Sequence, residues 1–139
     1  MPATTESKPD RPWPIQLFRF ALVGVAGFLV DAGSLQAYLV VAPGHFYSGR
    51  ALSYVIAATT TWALNAWFTF GRSGGGIRQW GRFLLFNLSG GAVNYTIYAA
   101  LVATVPAMAQ MPVLAVAAGS LGGLGVNFLV SRYFVFAKA

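Results

Sequence analysis

Four stretches of the chain are apolar almost without a break: about 16–41, 50–70, 82–105 and 112–136. Each holds roughly the twenty residues that a ~30 Å hydrocarbon layer requires at ~1.5 Å of rise per residue. The runs are continuous, with no period-two alternation, so they predict helices and not barrel strands. Turn chemistry falls between them. Pro43-Gly44 closes the first run, Gly71 to Gly76 (GRSGGG) separates the second from the third, and Pro106 and Pro112 bracket the last turn. The small and polar residues inside the runs lie on helical stripes. Gly24, Gly27, Asp31 and Ser34 share a face of the first helix, and Asn87, Gly90, Gly91 and Asn94 share one of the third. Ser53, Ala57, Thr61 and Asn65 step by four along the second, as Gly119, Gly123, Asn127 and Ser131 do along the fourth. In lipid such stripes let backbones approach and polar groups bond across the contact.

The two halves of the pattern match. At an offset of 63 residues, Arg19-Phe20-Ala21-Leu22 meets Arg82-Phe83-Leu84-Leu85, Gly27 meets Gly90, and Asp31 meets Asn94. At an offset of 66, WFTF (Trp67 to Phe70) meets YFVF (Tyr133 to Phe136). Each half holds two spans, so both halves face the same way. The expected fold is an all-α membrane protein whose four transmembrane helices form a parallel repeat of two helical hairpins. It occupies 15–139 as one domain, after a short disordered cytoplasmic tail at 1–14.

Composition agrees. Of 139 residues, 57% are hydrophobic and 9% charged, against roughly 25% charged in soluble domains. With no cysteine, disulfides, thiolate chemistry and Cys-ligated metal are excluded. The net charge of +6 does not signal nucleic acid, because the bases sit at the ends of apolar runs and form no stripe with interleaved aromatics. Lipid head groups and the positive-inside bias account for it better. Lys8, Arg11, Arg19, Arg72, Arg78, Arg82, Arg132 and Lys138 lie near the termini and central loop, and only Arg50 lies near the other two loops. That bias puts both termini in the cytoplasm, with Trp13, Trp67, Trp80 and Tyr133 in the interfacial belt on that side.

Asp31 is the costly residue. A carboxylate at bilayer depth carries a penalty of roughly 2.5–3.5 kcal/mol on insertion scales, so it points to function. It lies about 18 Å along the helix from Arg19, somewhat past the midplane. It suits sugar hydroxyls, a transported proton, or an internal ion pair. No catalytic constellation can be assembled: His45 is in an outer loop, and Glu6 and Asp10 are in the tail. No enzyme activity, metal or other cofactor is expected. GRSGGG lacks the Lys-Ser/Thr ending of a phosphate loop and reads as a linker.

FRFALVGVAGFLVD (Phe18–Asp31), NAWFTF (Asn65–Phe70), RFLLFNLSGGAVN (Arg82–Asn94) and NFLVSRYFVF (Asn127–Phe136) together resemble the GtrA-like family of small four-helix bacterial membrane proteins. The resemblance implies a part in cell-surface polysaccharide synthesis. The implied activity is movement of a polyprenyl-phosphate-linked monosaccharide across the cytoplasmic (inner) membrane, for glycosyltransferases on the far side. The family commonly has a basic residue after the asparagine of the second helix; here it is Ala66, while Arg132 keeps that place in the second half. On this reading Arg19, Arg82 and Arg132 catch phosphate through their planar forks, and Asp31, Asn65, Asn94 and Asn127 line the head-group path. The bland alternative makes the arginines topology anchors and the asparagines interhelical glue. Expected partners are the lipid-linked sugar, membrane lipids, a membrane glycosyltransferase, and a second copy of the chain held through the stripe from Gly119 to Ser131 as a parallel homodimer or higher homo-oligomer. Two other functions fit the residues: a scaffold or accessory subunit for a glycosyltransferase and, behind it, a small proton-coupled exporter. The charge bias and the repeat speak against the exporter.

Overall fold

The computed structural model describes residues 10–72 and 74–137. Residues 1–9, most of the expected tail, lie outside the described residues, as does Lys138. Every described element is helical: α1 (Trp13–Val41), α2 (Phe46–Leu64), α3 (Gly76–Thr104), α4 (Pro106–Gln110) and α5 (Pro112–Val130). Two of them run on into a π-helical turn, α2 through Asn65–Thr69 and α5 through Ser131–Val135. The segment lengths recur: 29, 19 and 5 residues, then 29, 19 and 5 again around the short α4.

Sequence chemistry explains where the helices stop. Pro14 occupies the first turn of α1, where a missing N–H costs nothing. At its other end Pro43 disfavours helical geometry in Ala42, and Gly44 takes a φ of 83° to turn the chain into α2. Gly71, Gly74 and Gly76 also have positive φ, at 65°, 94° and 61°, a geometry that glycine supplies at either side of the link between the helix pairs. Val105, extended before Pro106, ends α3.

The helices are longer than the apolar runs suggested. α1 starts at Trp13, inside the expected tail, and α3 starts at Gly76, so Arg78 and Arg82 stand on α3 and not in a loop. Arg50 likewise lies on α2. Hydropathy places a boundary where charge first appears, but an arginine stem continues a helix readily with its head at the edge of the apolar layer.

α1 packs along α2, and α3 along α5. Each pairing closes on a glycine. A Cβ at Gly27 would lie 2.3 Å from Thr61 Cγ2, and one at Gly90 would lie 2.0 Å from Asn127 Oδ1. Thr61 and Asn127 are 66 residues apart, so the same close approach recurs in register. Gly119 and Gly123 are also buried, with Cβ positions 2.5 Å from the Asn94 carbonyl and 2.7 Å from that of Gly90. The small-residue stripe of the last helix is therefore filled by α3 of the same chain.

The two helix pairs meet over an aromatic layer. Phe20, Phe70, Phe83, Phe128 and Phe136 form its buried core. Phe70 and Phe136 stack at 4.9 Å, while Phe20 meets Phe128 edge-on at 5.7 Å; such ring pairs add roughly 0.5–1.5 kcal/mol each beyond area burial. Trp62 Nε1 donates to Gln79 Oε1 at 3.1 Å, and Trp80 Nε1 to Thr59 Oγ1 at 2.9 Å, tying α2 to α3. Trp80 is thus an interhelical strut as well as a residue of the aromatic end. The outside is greasy: Phe28 is 69% exposed and Leu121 70%. Apolar faces this extensive suit lipid and would aggregate in water. Among the described residues α1 is the one helix both long and apolar enough to cross a membrane, where the sequence led to an expectation of four.

Candidate functional site

A groove runs between the helix pairs above the aromatic layer. One lobe, of about 220 Å³, is lined by Asp31, Tyr54, Asn65, Asn87 and Asn127, with Phe20 and Phe83 among its lining. A second, of about 320 Å³, is lined by Asn94, Ser120, Gly90, Gly91 and Gly123. Tyr54, Asn87, Leu124 and Asn127 border both, so the lobes share a wall. Glycine and alanine stripes leave room where larger side chains would have filled the interior. The structure therefore brings Asp31, Asn65, Asn94 and Asn127 to one cleft.

Asn65 is 2% exposed and accepts at Oδ1 from Thr69 Oγ1 at 2.8 Å. It opens the π turn, whose closing bond runs from the Phe70 N–H to the Asn65 carbonyl at 2.9 Å. Asn127 is different: its Oδ1 is buried with no hydrogen-bond partner among the described residues. A buried acceptor left bare costs about 1–3 kcal/mol. It is pressed against Gly90 of α3, where an added Cβ would lie 2.0 Å from it.

Asp31 is an ion-pair partner. Arg50 Nη1 donates to its Oδ2 at 2.6 Å and Ser53 Oγ to its Oδ1 at 2.7 Å. The carboxylate side is 19% exposed and the guanidinium side 60%. Both carboxylate oxygens are engaged, which answers its burial cost. Sequence reasoning missed Arg50 because it assigned that residue to a loop. A signal existed: it is the lone base near the outer turns and follows the lone acid of the apolar runs across one helix turn-around. Asn87 and Tyr54 were missed as well, Asn87 despite its place on the third stripe.

The three expected phosphate arginines do not line this groove. Arg19 Nη1 donates to the Phe68 carbonyl at 2.9 Å, and its guanidinium stands 4.7 Å over the Phe68 ring. Arg11 Nη1 donates to the same carbonyl at 2.9 Å and to that of Thr69 at 3.3 Å. Carbonyls at a helix C-terminus lack intrahelical donors and carry the negative end of the dipole, so both arginines act as caps. Arg82 is exposed on α3. Arg132 Nη1 donates to Gln16 Oε1 at 3.0 Å and lines a separate cleft below the aromatic layer.

These features define a class: a helical membrane protein with its polar residues gathered between two packed helix pairs. The chain matches the family model for the GtrA/DPMS transmembrane domain over residues 19–136. It belongs to that family, and as such is a membrane protein of polysaccharide synthesis. No curated protein matches the chain significantly.

Proposed function

We propose that the chain moves a polyprenyl-phosphate-linked monosaccharide across the inner membrane, crossing it four times as two parallel hairpins with both termini in the cytoplasm. The isoprenoid tail stays in lipid, so the protein shelters the polar head alone. What carries the reading is the groove. Amides from three helices, Asn65, Asn87, Asn94 and Asn127, converge on it and offer donors and acceptors suited to sugar hydroxyls. Its larger lobe reaches the lower end of the ~300–1,000 Å³ range of ligand pockets. Phe18, Phe28 and Leu121 on the outer faces suit the surrounding acyl chains.

The exporter alternative needs a carboxylate free to exchange protons, and Asp31 is held by Arg50 and Ser53. Purified protein in sealed vesicles with a fluorescent lipid-linked sugar tests the proposal. Accessibility of the sugar to an impermeant reagent should equilibrate between leaflets faster than in protein-free vesicles. Equal rates would leave the chain as a scaffold for a membrane glycosyltransferase.

A further inference from the structure

At the end of the bundle that holds both described chain ends, a cleft of about 200 Å³ lies under the aromatic layer, floored by Phe70 and Phe136. Four polar side chains line it: Asp10, Gln16, Arg72 and Arg132. Arg72 Nη2 meets Asp10 Oδ1 at 2.6 Å. Arg132 has a neutral partner instead, the Gln16 amide oxygen. Gln16 itself is 4% exposed and fixed at its other end, where Nε2 donates to the Arg11 carbonyl at 2.9 Å. One guanidinium is thus presented by a locked amide, and the other is held by the chain's own carboxylate.

We propose that this cleft is an anion site for a phosphate group, bound between Arg72 and Arg132, and that Asp10 is its internal stand-in when no phosphate is present. The charge balance supports this. Among the described lining residues two guanidiniums stand against one carboxylate, a positive surplus that suits a phosphodiester. Displacement of Asp10 leaves two, the complement of a phosphomonoester dianion. Guanidinium forks match phosphate oxygens in pairs, and the aromatic floor keeps water from one side of the contact. A plain surface ion pair is the competing account, since such pairs commonly contribute little. It explains Asp10 and Arg72 but gives no reason for Arg132 to line the same cleft with an uncharged partner. That the phosphate belongs to a lipid-linked sugar rests on the transport reading; the anion site does not.

The test uses the full chain in nanodiscs of neutral lipid. Inorganic phosphate is titrated calorimetrically in one arm, and polyprenyl monophosphate is built into the disc in the other, with the rise in melting temperature over discs lacking it as readout. Arg72→Gln and Arg132→Gln should each weaken binding about tenfold or more, and Asp10→Asn should tighten it about fivefold. Arg72→Lys, which keeps the charge, and a melting curve for every variant separate lost binding from lost folding. Binding in the lipid arm alone assigns the site to a lipid head group; binding in the free arm alone assigns it to soluble phosphate. Folded arginine variants that bind like wild type overturn the site, as does an Asp10→Asn chain that binds no better. Flux of the lipid-linked sugar in the same preparations keeps the two readings apart. A wild type that binds phosphate by this pattern yet moves no sugar refutes transport alone, whereas transport that ignores both arginines refutes the site alone.

Discussion

Gly123 tests the packing of α3 on α5 most sharply. A Cβ there would stand 2.7 Å from the Gly90 carbonyl oxygen and 3.0 Å from Asn94 Cβ. Ordinary contact begins at 3.4 Å, so in Gly123→Ala the helices must part by about 0.7 Å. The first obstacle is backbone, and no rotamer change relieves it. A gap of ~0.5–1 Å forfeits a quarter to a half of each contact's dispersion energy, and overpacking costs about 1–3 kcal/mol. Alanine returns about 1 kcal/mol of helix propensity. The net expectation is a loss of up to about 2 kcal/mol.

Gly125 is the control on the same helix. Nothing lies within 4 Å of its Cβ position, so Gly125→Ala keeps the propensity gain and should be stabilised by about 0.5–1 kcal/mol. Unfolding in mixed micelles titrated with a denaturing detergent, followed by tryptophan fluorescence, measures both. Opposite signs two residues apart are the signature. If Gly123→Ala is as stable as Gly125→Ala, the close approach of α3 and α5 is wrong. A folded Gly123→Leu chain that merely loses self-association would return the stripe to an interface between copies.

Three further outcomes follow from the groove and its supports. Asp31→Asn keeps an acceptor for Ser53 but leaves Arg50 without its counter-ion; because Arg50 is well exposed, stability should fall by no more than about 1 kcal/mol, while vesicle flux falls, and full flux would remove the pair from the path. Asn127→Ala removes a bare buried acceptor but opens a gap against Gly90, so flux should drop with a stability loss of about 1–2 kcal/mol; unchanged flux would show that Asn127 serves packing alone. Arg19→Gln loses a charged cap on the Phe68 carbonyl, and a loss of about 1–2 kcal/mol is expected in the same micelle titration, with orientation unchanged by cysteine-labelling of introduced sites.

Much of this architecture was legible because period and punctuation acted together. The glycine and asparagine stripes marked faces of close approach, and the structure shows what meets there: Thr61 against Gly27 and Asn127 against Gly90. The partners of the charges were not legible. Arg19 sits at a helix end that hydropathy marks as an interface, and an anchor, a phosphate ligand and a carbonyl cap look alike there. What separates them is the π turn at Asn65–Thr69, whose carbonyls need donors and whose presence no periodicity reports. Arg50 was lost for a related reason: a helix start was placed at the first charge. The last helix's stripe could pair with any helix, and only tertiary structure tells α3 from a second copy.

Charge and amide are distributed unequally along the groove, and the transport reading gives that inequality a role. Asp31 and Arg50 cancel one another toward the turn between α1 and α2. Arg72 and Arg132 gather with Asp10 at the opposite end, beyond the aromatic layer. Between them the polar lining is neutral, from Asn65 and Asn87 to Asn94 and Asn127. A head group that must leave as readily as it enters is poorly served by a deep electrostatic well midway, because conduction needs sites that bind and also release. Amides meet that demand: each offers both donors and an acceptor to hydroxyl or phosphate without a full charge to hold it. The same logic bears on the divergence between the halves. Where α1 carries Asp31, α3 carries Asn94, and a second carboxylate there would face no equivalent of Arg50, since Val116 stands 66 residues on. Asn94→Asp should therefore cost more stability than Asp31→Asn, an unpaired buried charge being worse than a missing one. Micelle titration of both settles the order, and equal stabilities would mean that the second lobe is wet enough to solvate a charge unaided.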